Sequence, residues 1–314
     1  MQPEYDFPIV AFHVQASKTV GMGHLARSSA LIDSLNSLGV KTVLQLDADE
    51  KGRSEAESRG HYIFSDVSSL ATVLIIDAIN IPASLYDLAR NFYPRILISP
   101  ICDNPLIASH ILVRDAPEEL QKMVEPSHSQ LIVDPDFAFV TAGGVSPSVK
   151  KYKRINAGIC LSGADNTLDI EEIIHLIFET PYLDSISVID RREPICKVPK
   201  GKKLFHAVPN GKPWEFFSKI NFFIGGDGVM LAEAIARGIP AISLTTLERK
   251  AKNQALADSG ALKAILHETI DVKSIFKLFS CREEIYKMHE AALSLNGARR
   301  SSKLSETIIN IMGC

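Results

Sequence analysis

His24 and Arg27 stand three residues apart in the run Val20-Gly21-Met22-Gly23-His24-Leu25-Ala26-Arg27. Side chains at that spacing share a helix face, so an imidazole and a guanidinium would be offered side by side. Gly21 and Gly23, just upstream, let the backbone come close to a ligand. A helix starting here has unpaired N–H groups and the positive end of its dipole, which together favour an anion. That positive end also disfavours an imidazolium, so a histidine in this place is suited to accept a proton. The chemistry implied is a general base beside an anion site. Arg27 either contacts a phosphate or carboxylate on the ligand or pairs with a neighbouring acid.

The elements that must position these residues can be read from periodicity. Residues 9–14 alternate and branch like a buried strand, and Leu25, Ile32, Leu35 and Leu38 mark a helix that Gly39 stops. Further strands are expected at 40–46, 71–76 (ending at Asp77), 95–99 and 110–113, and residues 141–149 read as a linker. Beyond it the alternation restarts, with strands at 156–161, 186–189, 203–207, 221–224 and 240–244 and a helix at 170–178. Gly163 and Asp165 lie in the loop after the first of these strands, and Asp165 suits an N-cap. Gly225-Gly226-Asp227-Gly228 opens a helix that runs through Arg237. The pattern predicts an α/β protein of two Rossmann-like domains, 1–145 and 150–314, facing a cleft. The last helix, 301–312, can cross back to the first domain.

At 314 residues the chain has room for two domains with separate cores. A formal net charge of −3 gives no electrostatic footprint for nucleic acid, and no local cluster of lysine and arginine suggests one. The start, Met1-Gln2-Pro3-Glu4-Tyr5-Asp6, lacks the basic and apolar regions of a signal peptide, and no apolar run is long enough to span a membrane. Peripheral membrane association is compatible with this composition, but nothing in the sequence indicates it. The five cysteines, Cys102, Cys160, Cys196, Cys281 and Cys314, are scattered, and their odd number fits reduced thiols in a cytoplasm. Neither a metal nor a cofactor is expected. Asp47-Ala48-Asp49 spells the D-x-D of metal-dependent glycosyltransferases, but directly after a strand it reads as a solvated turn.

With both glycine loops in place, the chain resembles the glycosyltransferase-B (GT-B) architecture. More narrowly, it is similar to the family that joins the UDP-sugar hydrolase of pseudaminic acid synthesis to the spore-coat polysaccharide proteins. It more distantly resembles the lipid II N-acetylglucosaminyltransferase. The first match is Ser17-x-x-x-Gly21-x-Gly23-His24-x-x-Arg27, where the family carries its catalytic histidine. The second is Ile224-Gly225-Gly226-Asp227-Gly228 with Glu233 and Gly238-Ile239-Pro240, followed by Asn253-Gln254, and Val133-Asp134-Pro135-Asp136-Phe137 also has a counterpart. The resemblance implies that Glu233 accepts from the ribose hydroxyls, as an acceptor-only carboxylate can. It implies that Gly163, Gly225, Gly226 and Gly228 bring backbone N–H groups to the nucleotide. It places Asn253 or Gln254 on the sugar or the catalytic water, and Gly21, Gly23, Arg27 and Asp77 on the substrate.

Three departures qualify the match. Val229 and Met230 replace the hydroxyl residue that follows the last loop glycine, which leaves UDP and CMP sugars both open. His13-Val14-Gln15-Ala16-Ser17 stands where the hydrolases have Arg-x-Asp-x-Ser. Asp77-Ala78-Ile79-Asn80 lacks the tyrosine that follows their aspartate and is closer to the spore-coat branch. These changes favour inverting glycosyl transfer to a sugar acceptor, with His24 as base, over hydrolysis by water. A non-catalytic subunit of a glycan-synthesis complex is the remaining class. A nicotinamide-dependent oxidoreductase is disfavoured because Gly21-x-Gly23 lacks the third glycine of the dinucleotide fingerprint.

Overall fold

The computed structural model describes residues 8–17, 19–114, 116–134, 137, 154–161, 170–190, 192–208, 213–246, 253–266, 272–295 and 297–313. The 141–149 linker, Pro135, Asp136, Gly163 and Asp165 lie outside them. Contacts divide the chain into two units, Met1–Val140 together with Arg299–Cys314, and Thr141–Ala298.

The first unit runs β1 (Val10–Ala16), α1 (Gly23–Ser37), β2 (Thr42–Ala48), α2 (Glu50–Ser58), β3 (Val73–Asp77), α3 (Ala83–Ala89), β4 (Arg95–Leu97), β5 (His110–Val113), α4 (Glu118–Val124) and β6 (Gln130–Val133). Its strands pair in parallel in the order β2-β1-β3-β4-β5-β6. Parallel sheets are covered on both faces, and this explains why β1 and β3 are buried along their whole length. One face packs Val10, Phe12 and Val14 against Leu25, Leu31 and Leu35 of α1, and the other packs Ala11, Leu74 and Ile76 beneath Leu85 of α3 and Leu120 of α4. The short edge strand β6 was not anticipated, since four half-exposed residues leave no periodicity to read.

The second unit runs β7 (Ile155–Cys160), α5 (Ile170–Phe178), β8 (Leu183–Ile189), β9 (Lys203–Ala207), α6 (Pro213–Phe217), β10 (Phe222–Gly225), α7 (Val229–Ala236), β11 (Ala241–Thr245), α8 (Gln254–Asp258), β12 (Leu262–Leu266), α9 (Val272–Ser280) and α10 (Arg282–Ser294). Its parallel order is β12-β11-β10-β7-β8-β9. Both units are therefore doubly wound α/β sheets. In each, the strand order reverses beside the unit's first strand, between β1 and β3 and between β7 and β10. The crevice at the carboxyl ends of such a pair is where ligands bind in open α/β sheets. Among the described residues, no helix is long and apolar enough to cross a membrane.

The final helix, α11 (Gly297–Met312), carries the chain back to the first unit. Leu304 and Ile308, one turn apart and both 0% exposed, enter the core formed by β1 and α1. Ser305 Oγ donates to Ser34 Oγ of α1 at 2.7 Å, and Lys303 pairs with Asp134 at 2.6 Å. Leu304→Ala should lower the unfolding free energy by about 2–5 kcal/mol in urea titration, because a fully buried leucine leaves a cavity.

Candidate active site

At the switch point of the first sheet, β1 leads into a loop in which Gly21 adopts φ +88°, a left-handed conformation suited to glycine. Gly21 N–H donates to Ser17 O at 2.8 Å, and α1 begins at Gly23. No side chain caps this helix start, and no acidic residue stands in its first turn. The helix then presents His24, Arg27 and Ser28 to a single carboxylate, Asp77, the last residue of β3. His24 Nδ1 lies 2.6 Å from Asp77 Oδ1, Arg27 Nε donates to Oδ2 at 2.9 Å, and Ser28 Oγ donates to Oδ2 at 3.0 Å. Arg27 Nη2 makes a further short contact with Oδ1.

Asp77 is 0% exposed. Burial alone would push its carboxyl up, but the Arg27 guanidinium, then the His24 ring, and the hydrogen bonds from both hold it well below the usual carboxylate range. An ionised carboxylate only accepts, so His24 Nδ1 must carry the proton and donate to it. Arg27 Nη2 also lies 3.0 Å from Nδ1, but both are donors converging on one oxygen. His24 Nε2 makes no hydrogen bond to any described residue and is the nitrogen left to accept a proton.

Gln15, buried on β1, organises the neighbouring loop. Its Oε1 accepts from Ile79 N–H at 2.9 Å and Asn80 N–H at 3.2 Å, and its Nε2 donates to Asn80 O at 2.9 Å and to Asp47 Oδ2 at 3.1 Å. Asp49 Oδ1 caps α2 by accepting from Gly52 N–H at 2.9 Å. The D-x-D residues thus hold structure. Among the described residues, no group of three histidine, cysteine or acidic side chains gathers as a metal site would require.

The second switch point is built around Asp227, between β10 and α7. Thr245 Oγ1 donates to its Oδ2 at 2.5 Å and Asn253 Nδ2 to its Oδ1 at 3.0 Å, while Ser243 Oγ makes a short contact with Oδ1. All four side chains are buried. They fix the turn so that Gly228 becomes the N-cap of α7, again with no side-chain cap and no acidic residue in the first turn. Within α7, Glu233 Oε1 accepts from Arg237 Nη2 at 2.8 Å and Nε at 3.2 Å, and the guanidinium lies 5.5 Å from the centre of the Phe217 ring.

No family model matches the sequence, and no curated protein does. Solved structures do. The spinosyn forosaminyltransferase SpnP aligns over 98% of this chain and 100% of its own, with a TM-score of 0.67 and 11% identity. MurG of Acinetobacter baumannii aligns over 96% of this chain and 99% of its own, with a TM-score of 0.64 and 11% identity. MnaA of S. aureus, in a structure with UDP, covers 96% of each chain with a TM-score of 0.62 and 11% identity. The chain has the GT-B fold. At this level of identity the likeness establishes the architecture alone.

On that GT-B frame, the structure brings His24, Arg27 and Asp77 together. Arg27 pairs with Asp77. Four other candidates are placed as follows. Asp77 is sealed from solvent and faces His24. Gly225 is buried as the last residue of β10, where a Cβ would meet the Phe223 ring at 2.6 Å and Cys160 O at 2.7 Å, so packing rather than ligand approach requires glycine. Asn253 is 3% exposed and donates to Asp227 Oδ1, which places it against the loop that carries Asp227. Gln254 donates to Asp258 Oδ1 at 2.7 Å on the exposed side of α8. Gly226 and Gly228 remain at the open turn, and Glu233 is 2% exposed within its ion pair.

Gln15, Ser28, Asp227, Ser243 and Thr245 were missed as site-forming residues. The signal for the last two was present, since hydroxyls alternate with apolar residues in Ile242-Ser243-Leu244-Thr245.

A depressed folded-state carboxyl contributes stability that is fully present above about pH 4 and is lost as pH falls from there through the folded value. Asp77→Asn removes the buried carboxylate charge that Arg27 and His24 face and should cost about 3–5 kcal/mol at neutral pH. In urea titrations carried downward from pH 7, the gap between wild type and this variant should narrow below about pH 4.

Proposed function

We propose that this chain transfers a sugar from a nucleotide-activated donor to an acceptor hydroxyl, with inversion at the anomeric carbon. The observation that carries the reading is the His24–Asp77 pair at the first switch point. Asp77 fixes the imidazole with Nδ1–H inward, and Nε2 takes the proton of the acceptor hydroxyl as its oxygen attacks the anomeric carbon. The bond from that carbon to the nucleotide phosphate breaks as the new bond forms. One displacement inverts the centre and needs no protein nucleophile. The imidazolium formed is stabilised by the adjacent carboxylate.

The nucleotide is assigned to the second unit, with its phosphates on the uncapped N-terminus of α7 beside Gly226 and Gly228. Glu233 is the proposed ribose acceptor, a role that requires the sugar hydroxyls to share its carboxylate with Arg237. The UDP in the MnaA structure supports a nucleotide ligand for this fold. The His24 and Glu233 motifs, by their narrower resemblance, favour bacterial surface-glycan or nonulosonic acid biosynthesis as the setting.

A thermal-shift comparison of UDP, CMP, GDP and NADH at millimolar concentration tests the donor assignment. A ligand at a hundred times its Kd stabilises the native state by about 2.7 kcal/mol, and a selective UDP or CMP shift is expected. His24→Ala should leave that shift intact while lowering kcat by about 10²–10⁴-fold, measured with a UDP-sugar and a panel of sugar acceptors. Release of free sugar at the same rate without any acceptor would assign hydrolysis instead. A nucleotide shift with no turnover in wild type would assign a non-catalytic subunit.

A further inference from the structure

A buried glutamine holds an exposed asparagine by its main chain. The Gln15 amide is saturated, with Oε1 accepting from Ile79 N–H and Asn80 N–H and the Nε2 protons going to Asn80 O and Asp47 Oδ2. The same loop is tied from its other side, where Asp103 N–H donates to Ile79 O at 2.8 Å and Asp103 Oδ1 accepts from Ile81 N–H at 3.0 Å. Every main-chain donor and acceptor from Ile79 N–H to Ile81 N–H is therefore paired. The Asn80 side chain, in contrast, is exposed and makes no hydrogen bond to any described residue. The need to satisfy a buried amide accounts for these bonds, but they use only the main chain of residue 80. The fold itself does not require an amide there.

Topology sets where this loop lies. At the first switch point, α1 packs on one face of the sheet and α3 on the other, so the loops that follow β1 and β3 part there and leave the crevice between them. His24, at the start of α1, stands on one wall, and the segment between Asp77 and α3 forms the other. Asn80 follows Asp77 by three residues, which keeps their main chains within about 11 Å. A group on this wall meets the molecule whose hydroxyl His24 would deprotonate, which is the acceptor. An amide suits two neighbouring hydroxyls, since Nδ2 donates to one while Oδ1 accepts from the other. With the main chain already fixed, little but the side-chain torsions must be ordered when the acceptor binds.

We propose that Asn80 binds a pair of neighbouring hydroxyls on the acceptor and that Gln15 is the residue that positions it. The inference rests on the transfer reading and names the acceptor's chemistry, a polyhydroxylated sugar rather than an apolar aglycone. Wild type, Asn80→Ala and Gln15→Met are assayed for transfer from a UDP- or CMP-sugar, chosen by the thermal shift, to a panel of sugars. The best acceptor is then compared with its monodeoxy derivatives. One neutral hydrogen bond corresponds to about a tenfold change, so Asn80→Ala should lower kcat/KM for the parent acceptor about 10–100-fold and leave the nucleotide thermal shift as in wild type. In wild type, removing a contacted hydroxyl should cost about tenfold, a discrimination that Asn80→Ala no longer shows and that a merely structural role would not move. Gln15→Met should lose the same discrimination with Asn80 in place. Asn80 is exposed, so its variant should melt like wild type and carries the test even where Gln15→Met fails to fold. Transfer with unchanged kcat/KM and unchanged discrimination in Asn80→Ala overturns this proposal and leaves the transfer reading standing. A folded Gln15→Met that discriminates as wild type does overturns the role given to Gln15. Sugar release at the same rate without an acceptor, or no turnover by the wild type, overturns the transfer reading and this proposal with it.

Discussion

An ionised carboxylate sealed from water costs several kcal/mol unless its charge and lone pairs are met, and Asp77 imposes that requirement on the whole end of the first sheet. Both carboxylate oxygens are engaged, and the donors come from three positions of one helix, His24, Arg27 and Ser28. Those positions can converge only if α1 starts where it does and turns its first two turns toward β3. The entry loop, with Gly21 in a left-handed conformation, follows from that constraint. So does the orientation of the imidazole, whose inner nitrogen is committed to Asp77. The contacts that make the buried charge tolerable are the same ones that fix the ring for the proton transfer proposed above.

The second sheet meets a similar requirement with neutral donors. Asp227 is surrounded by the Ser243 and Thr245 hydroxyls and the Asn253 amide, with no cation among these contacts. The difference has a chemical consequence. A guanidinium and an imidazole around Asp77 leave a group that can exchange a proton. Hydroxyls and an amide around Asp227 only hold a turn, and what they hold ready is the backbone at the start of α7. Each switch point is thus organised by one buried acid at or beside the end of a central strand.

Much of this was legible in the sequence. Strand–helix alternation identified both doubly wound sheets, and the glycine loops located both switch points, because apolar runs and glycine turns are local signals. His24 and Arg27 were legible as one helix face for the same reason. What could not be read locally was which partner each polar group takes. Asp77 and His24 are 53 residues apart in sequence, and their contact is fixed by the placement of β3 beside β1. Gln15 was read as a missing acid, yet its amide satisfies two backbone N–H groups and one carbonyl in the 79–80 loop. A carboxylate could accept from the N–H groups but could not donate to Asn80 O, so glutamine is the residue type this loop geometry requires. β12, α9 and α10 were also unread, and so was the assignment of Asn253 to Asp227, which depends on a loop meeting a turn 26 residues away.

Glu233 is where motif and structure pull hardest against each other. Its position five residues after Gly228 argues for a nucleotide ligand, while its 2% exposure and its pairing with Arg237 argue for a helix-stabilising role. The two are compatible on physical grounds. A buried ion pair contributes little net stability, because desolvation offsets most of the Coulombic attraction. A carboxylate that shares its charge with a guanidinium is still an acceptor, and each carboxylate oxygen has more than one lone pair. A ribose diol can therefore add to the pair without displacing Arg237, provided the first turn of α7 admits it. Val229 and Met230 occupy that turn without hydroxyls. On the proposed reading, the main-chain N–H groups would carry the phosphate contacts that a serine or threonine would otherwise share. That arrangement makes the fixed geometry of the Asp227 turn a condition for binding, since backbone donors can be aimed only by the fold.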